Sequence, residues 1–311
     1  MMTLHERKIK AARFSVLSNS VLVLSKIVVG LAIGSVAVIS EGIHSGVDLI
    51  AALIAWFAVR LVGQPADKQH PYGHGKFENI SGTIEALLIF LAAGWIVYQA
   101  VQKLIHPQPL EAIGWGVLIM VVSSSVNLAV SRLLFKVGRE TDSIALQADA
   151  WHLRTDVYTS AGVMVGLLLI WLGHWIYPEL YLDWLDPVVA LVVALMIIKV
   201  AYNLTIQSGR DLLDIGLPAE EEAWIRRYLS GLQPAVCAFH NLRTRKAGAE
   251  RFIEVHILVD ARMTVEESHR ITGVIKGAIR EQFPGSTVTI HVEPCNHPSP
   301  SEGQAPSVAL R

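Results

Sequence analysis

Two His-x-x-x-Asp pairs lie inside apolar segments of this 311-residue chain: His44 with Asp48, and His152 with Asp156. A spacing of four residues places both side chains of a pair on one face of a helix. One such pair could be a structural hydrogen-bonding pair, but two pairs with the same spacing and order favour a shared function, since ionisable groups at membrane depth are costly. Two imidazoles and two carboxylates suit a tetrahedral divalent metal, zinc above all.

The composition indicates an integral α-helical membrane protein. Hydrophobic residues make up 52% of the chain and charged residues only 17%, whereas a soluble domain carries about 25% charged residues. A membrane-spanning helix needs roughly 20 mostly apolar residues. Apolar stretches of that length recur six times, at about 13–34, 36–62, 80–103, 111–136, 144–173 and 179–205. They predict a six-helix transmembrane domain over residues 1–208, with membrane lipids as partners.

Basic residues fall on one side of the predicted spans, which predicts the orientation by the positive-inside rule. Both termini should therefore be cytoplasmic. The basic residues on that side are Arg7, Lys8, Lys10, Arg13, Lys68, Lys76, Lys136, Arg139 and Arg210. The net charge of −1 gives no sign of a nucleic-acid partner.

Residues 209–295 predict a small cytoplasmic α/β domain with the order helix, strand, strand, helix, strand. Thr264 and Glu267 form a capping-box signature at the start of its second helix. The two cysteines, Cys237 and Cys295, lack a CxxC spacing, which predicts a reducing compartment without a disulfide framework. Residues 296–311 have the composition of a disordered tail.

Other polar residues extend the list of candidate ligands. Asp149 and Glu41 each lie one turn before a histidine of the membrane pairs. They could help to relay ions or simply face a water-filled cavity, and we expect the second for both. Asp67, His70 and His74 fall within eight residues of a loop, and five more candidates lie in the cytoplasmic domain. The alternatives are a solvated charged loop and a set of surface histidines. The five are His240, His256, His269, His291 and Glu293.

Several motifs resemble those of the cation diffusion facilitators, and most closely the bacterial zinc/iron efflux pump type. They are SEGIHSGVD in the second span, PADKQHPYGHGK in the loop, DAWHLRTD in the fifth span, LLDIGLP after the sixth, and HNLRTRKAG with IHVEP in the last domain. The resemblance extends from the first span through Glu293. It implies a homodimer with a metallochaperone-like cytoplasmic domain.

The resemblance also implies roles for the candidate ligands. His44, Asp48, His152 and Asp156 would form the transport site, and the loop residues Asp67, His70 and His74 a second site. The five candidates of the cytoplasmic domain would form a binuclear regulatory site at a dimer interface. Related bacterial pumps often carry Asp at the position of His44, and Asp is usual at the position of Glu293.

The predicted function is a proton-coupled antiporter that exports Zn²⁺ across a bacterial inner membrane by alternating access. Zn²⁺ would be both cargo and regulator, with Cd²⁺, Fe²⁺ and Mn²⁺ as alternative cargo. A transporter with Fe²⁺ or Mn²⁺ as its main cargo is one alternative, since affinity order alone does not determine selectivity. An intramembrane metalloenzyme is another, but catalytic zinc usually keeps an open coordination position and the chain contains no HExxH. We therefore expect no enzymatic activity.

Overall fold

The computed structural model describes residues 3–33, 36–106, 115–176 and 184–295. These residues form two compact units. The first extends through Leu213 and includes Ala247–Ala249, and the second comprises Asp214–Lys246 and the residues from Glu250 onward. Glu41 is in a helix, but its side chain lies outside the description, as does the predicted disordered tail at 296–311.

The described part of the first unit consists of six long helices. They are α1 (Leu4–Ile33), α2 (Val36–Val62), α3 (Lys76–Ile105), α4 (Trp115–Glu140), α5 (Ile144–Ile176) and α6 (Leu185–Leu212). α1 and α3 begin before the predicted spans because hydropathy marks only the apolar part of a helix. Leu4–Ala32, Gly42–Val62, Lys76–Ile105 and Pro187–Leu212 are long and apolar enough to cross a membrane by length and composition.

Many large apolar side chains of this unit lie on its outside. Leu17, Leu24 and Leu31 are 61%, 65% and 67% exposed and recur every seven residues along α1. Alanines such as Ala51 and Ala52 occupy much of the interior, between larger buried side chains such as Leu134. This distribution is expected for a bundle in lipid, where small residues allow close helix packing and the outer surface meets hydrocarbon.

Helix α5 joins the two apolar cores of the bundle. Leu153 of α5 belongs to a core built from α1, α2, α4 and α5, whereas Ala148 of α5 belongs to a core built from α3, α5 and α6. Trp151 packs against both cores. Polar residues on the inner face of α5 are therefore held in the middle of the bundle.

The second unit contains α7 (Ala219–Ser230), β1 (Ala238–Ala247), β2 (Glu250–Asp260), α8 (Val265–Gln282) and β3 (Thr287–Cys295), in the predicted order. The sheet order is β1-β2-β3, and β2 and β3 are parallel with His256 opposite His291. Helix α8 provides the crossover that a parallel pair requires. The capping box at Thr264 and Glu267 is present, with both of its hydrogen bonds.

Contrary to the sequence prediction, Cys237 and Cys295 form a disulfide bond. The backbone N–H of Cys237 donates to the carbonyl of Leu258, and Cys295 lies opposite Asp260 in the pairing of β2 with β3. Both cysteines thus lie beside the last residues of β2. The two cysteines are 58 residues apart in the chain. The sequence therefore did not predict that they are neighbours, because their proximity depends on strand pairing.

Candidate metal centres

Helices α2 and α5 bring the two His/Asp pairs together. His44, Asp48 and Asp156 each offer one ligand atom, and these atoms lie within 4.8 Å of one another. His152 joins the group through Asp48, since its Nε2 lies 3.2 Å from Asp48 Oδ1. Asp48 and His152 are buried, Asp156 is half-buried and His44 is exposed. The ligand atoms of the two helices therefore converge on one place in the bundle.

The donor set fits a divalent cation that must lose its water. Two carboxylates offset the charge of the ion, and two imidazoles add the nitrogen ligands that zinc accepts readily. Asp48 accepts a hydrogen bond from His152 when the ring carries its proton on Nε2. An ion bound to both atoms would take the place of the proton on Nε2, so metal and this proton compete for the same site.

Lys26 of α1 is a buried charge close to this group that sequence reasoning missed. Its Nζ donates to Ser45 Oγ at 2.7 Å, and Ser45 lies between His44 and Asp48 in the chain. The available signal was a lysine inside the first apolar segment, where a charged residue is costly. A cation next to the ligands opposes the charge of the carboxylates.

Two further carboxylates lie deep in the bundle. Asp149 of α5 and Glu85 of α3 are both fully buried, and their charges interact. Both Asp149 oxygens and Oε2 of Glu85 have no hydrogen-bond partner among the described residues. The expectation that Asp149 faces a water-filled cavity is therefore wrong, because neighbouring helices cover it completely. Glu85 was not singled out from the sequence, although an acid in an apolar helix was a usable signal.

The loop residues Asp67, His70 and His74 form a second group of potential ligands, again with atoms within 4.8 Å of one another. Asp67 Oδ1 lies 3.2 Å from His70 Nδ1, and Asp67 Oδ2 lies 3.4 Å from His74 Nε2. His74 is buried and its ring stacks on Phe77. The packing of His74 holds one ligand rigidly, whereas Asp67 remains exposed.

A turn pre-orients the carboxylate of this loop. The backbone N–H groups of Gln69 and His70 both donate to Asp67 Oδ1, at 2.8 and 2.6 Å. The hydrogen bond from the His70 backbone is the largest of the effects that lower the pKa of Asp67. Asp67 therefore stays ionised, as a metal ligand must, to a lower pH than an ordinary aspartate.

In the second unit, Glu293 is at the centre of a third group. Its carboxylate lies 2.7 Å from His256 Nδ1, 3.4 Å from His240 Nε2 and 3.6 Å from His291 Nε2. His240, His256 and Glu293 satisfy the same 4.8 Å criterion. His269 on α8 is not in this group, although it lines a surface cavity together with Glu293. The strand register therefore assembles four of the five predicted residues.

The comparison with known families explains why these features occur together. The cation efflux transmembrane domain matches residues 12–213, and the cation efflux cytoplasmic domain matches residues 217–295. The chain belongs to the cation diffusion facilitator family. This facilitator is thus a membrane protein that moves cations and is not an enzyme, as predicted.

Relatives of this facilitator cover most of its length. An uncharacterized transporter of Synechocystis is 37% identical over 265 residues, which is 85% of this chain and 83% of the relative. The cation-efflux pump FieF of Klebsiella pneumoniae is 32% identical over 285 residues, 92% of both chains. A structure of the metal-bound C-terminal domain of the CzcD transporter from Thermotoga maritima is 31% identical, with a TM-score of 0.23, and covers 25% of this chain and 94% of that chain.

Proposed function

We propose that this facilitator exports Zn²⁺ from the cytoplasm in exchange for protons, with His44, Asp48, His152 and Asp156 as the transport site. The observation that carries the proposal is the convergence of ligand atoms from α2 and α5. The ion would enter from the cytoplasmic side, bind these residues and leave on the other side as protons replace it. Both termini would lie in the cytoplasm of a bacterial cell.

The preference for zinc follows from the ligand types. Fe²⁺ and Mn²⁺ bind well to oxygen-rich sites, whereas imidazole nitrogen together with a four-ligand geometry favours Zn²⁺. Compared with related pumps that carry Asp at the position of His44, this site has a nitrogen ligand in place of one hard, charged oxygen donor. The same change reduces the attraction of the site for Fe²⁺ and Mn²⁺ relative to Zn²⁺.

The contact between His152 and Asp48 supports coupling to protons. Their ligand atoms lie 3.2 Å apart, a distance at which a proton is shared in the absence of metal. Histidine exchanges protons near physiological pH more readily than any other unperturbed side chain. Binding of the ion displaces the proton, and rebinding of a proton displaces the ion, which yields an exchange mechanism.

Dimerisation and regulation form the second part of the proposal. The side chains of His240 and His291 are 51% and 63% exposed around Glu293, so a second copy of the chain can complete their metal coordination. We assign His240, His256, His269, His291 and Glu293 to a regulatory zinc site of a homodimer. Asp67, His70 and His74 would bind a further ion on the loop.

The decisive experiment measures zinc and proton flux in the same proteoliposomes. Wild type should show zinc uptake matched by proton movement, and Asp48→Ala and Asp156→Ala should lose both. Asp260→Ala, at the end of β2, is the matched control and should transport normally. Full zinc transport by either site variant would overturn the assignment.

The variant His44→Asp tests the choice of metal. We expect zinc transport to persist while competition by Fe²⁺ and Mn²⁺ becomes stronger, because a hard oxygen replaces nitrogen. The measurement is inhibition of zinc uptake by each competing ion for both proteins. If the wild type moves Fe²⁺ or Mn²⁺ faster than Zn²⁺, the zinc proposal fails although the site assignment stands.

A further inference from the structure

A groove runs along α1 between α2 and α4 at the end of the bundle where α1 begins. It has a volume of about 830 Å³. Basic side chains line its mouth and apolar side chains line its interior. The basic residues are Arg7, Lys10, Arg13 and Lys136, and the apolar ones include Phe14, Leu17, Leu53, Trp56, Leu133 and Val137.

The order of these residues along α1 matches the shape of a lipid. Lys10 and Arg13 precede Phe14 and Leu17 on the face of α1 that lines the groove. Since an α-helix rises about 1.5 Å per residue, Leu17 lies roughly 10 Å deeper than Lys10. Cations therefore lie at the depth of headgroups, and apolar side chains follow at the depth of acyl chains.

The positive charge at the mouth is largely uncompensated. Arg7 forms an ion pair with Glu140, but Lys10, Arg13 and Lys136 form no ion pair with any residue in the described ranges. Glu6 lines a small neighbouring cavity with Lys10 and Arg13, and it accepts a hydrogen bond from the backbone of Thr3. Three exposed cations thus remain beside an apolar groove.

We propose that this groove binds one anionic phospholipid, with its phosphate between Lys10, Arg13 and Lys136 and an acyl chain along Phe14, Leu17 and Leu53. Charge complementarity selects the anionic headgroup, and the apolar interior selects a lipid over a soluble phosphate. Basic pockets between transmembrane helices on the cytoplasmic side are suited to such headgroups. The placement in the cytoplasmic leaflet rests on the proposed orientation, whereas the binding itself does not.

The test counts bound lipid on the full-length protein. The protein is reconstituted in nanodiscs of phosphatidylcholine with a small fraction of phosphatidylglycerol, and the retained phosphatidylglycerol is measured by native mass spectrometry. Each cation near an anionic headgroup contributes roughly a fivefold factor in binding. The triple variant Lys10→Gln, Arg13→Gln, Lys136→Gln should lower the affinity for phosphatidylglycerol by roughly 100-fold.

Two further variants of the chain test whether lipid binding depends on the groove. The control Arg227→Gln, Arg243→Gln, Arg270→Gln removes the same charge from exposed positions of the second unit and should retain the lipid. Leu53→Trp fills the apolar interior without changing charge and should also lose it.

Retention of phosphatidylglycerol by Leu53→Trp, or its equal loss from the control triple, would overturn the proposal in favour of general surface attraction. Displacement of the lipid by millimolar inorganic phosphate would overturn it as well, because a soluble anion would then suffice. Zinc flux is not the readout, so failure of this proposal and failure of the transport proposal are distinguishable.

Discussion

Replacing Lys8 by methionine tests a buried ion pair that ties three parts of the bundle together. Lys8 Nζ on α1 lies 2.9 Å from Glu78 Oε1 on α3, and the two side chains are 8% and 0% exposed. Ser143, immediately before α5, donates to the other oxygen of Glu78 at 2.7 Å. Methionine keeps most of the length of lysine and removes its charge, so the variant leaves Glu78 with one unmatched oxygen.

The expected loss of stability follows from this geometry. Removing one partner of a buried ion pair costs about 3–5 kcal/mol, because the remaining charge is uncompensated. We expect about 3 kcal/mol for Lys8→Met, at the lower end, because Ser143 still satisfies one oxygen of Glu78. The double variant Lys8→Met, Glu78→Gln has neither charge and should lie within about 1 kcal/mol of wild type. The double-mutant cycle should therefore show coupling of about 2 kcal/mol or more.

The assay is reversible unfolding in mixed detergent micelles, followed by circular dichroism and by tryptophan fluorescence. Lys10→Met is the matched control, because Lys10 lies two residues away and is exposed. It should change the free energy of unfolding by less than about 0.5 kcal/mol. If Lys8→Met is as stable as Lys10→Met, or if the two changes at Lys8 and Glu78 simply add, the reasoning about the buried pair is refuted.

Two further predictions concern packing and pH. A Cβ added at Gly82 would lie 2.6 Å from Ser208 Oγ, whereas a Cβ added at Gly94 would have no neighbouring atom within 4 Å. In the same unfolding assay, Gly82→Ala should therefore destabilise the bundle by about 1–3 kcal/mol. Gly94→Ala should stabilise it by about 0.5–1 kcal/mol. Arg251 donates two hydrogen bonds to Glu221, both at 2.8 Å, and these lower the pKa of Glu221. Because the folded-state pKa is depressed, this stabilisation is present above the ordinary pKa and is lost as the pH falls through the folded-state pKa. Glu221→Gln should therefore speed hydrogen exchange in α7 at pH 7, and the difference should begin to shrink below the ordinary glutamate pKa of about 4.3. A difference that stays unchanged down to pH 2 would contradict this.

Local patterns predicted much of the architecture. The order of α7, α8 and the three strands follows from the periodicity of apolar residues and from signals such as the Thr264 capping box, which act within a few residues. Helix α1 extends well beyond its predicted span because a helix does not end where its hydrophobicity ends. The i, i+4 spacing also made the pairing of His44 with Asp48 predictable, since it depends only on helix geometry.

Contacts between distant segments were not predictable in the same way. Glu85, Lys26 and the bond between Cys237 and Cys295 gain their meaning from neighbours on other helices or strands. Nothing in the residues around Glu85 shows that its carboxylate interacts with the carboxylate of Asp149 on α5. For His269 the opposite holds. The family resemblance predicted that it belongs with the other ligands, but the fold of a single chain does not place it in their group.

The sequence by itself determined which residues can bind a metal, since ligand chemistry belongs to the side chain and helical spacing places two ligands on one face. It also determined the membrane setting, because composition alone decides whether a segment is stable in hydrocarbon. Only the tertiary structure decided that the two pairs meet, that Asp149 is sealed from water, and that cations and apolar side chains share one groove on α1. Those outcomes depend on how helices far apart in the chain pack against one another, and that packing is a property of the whole fold.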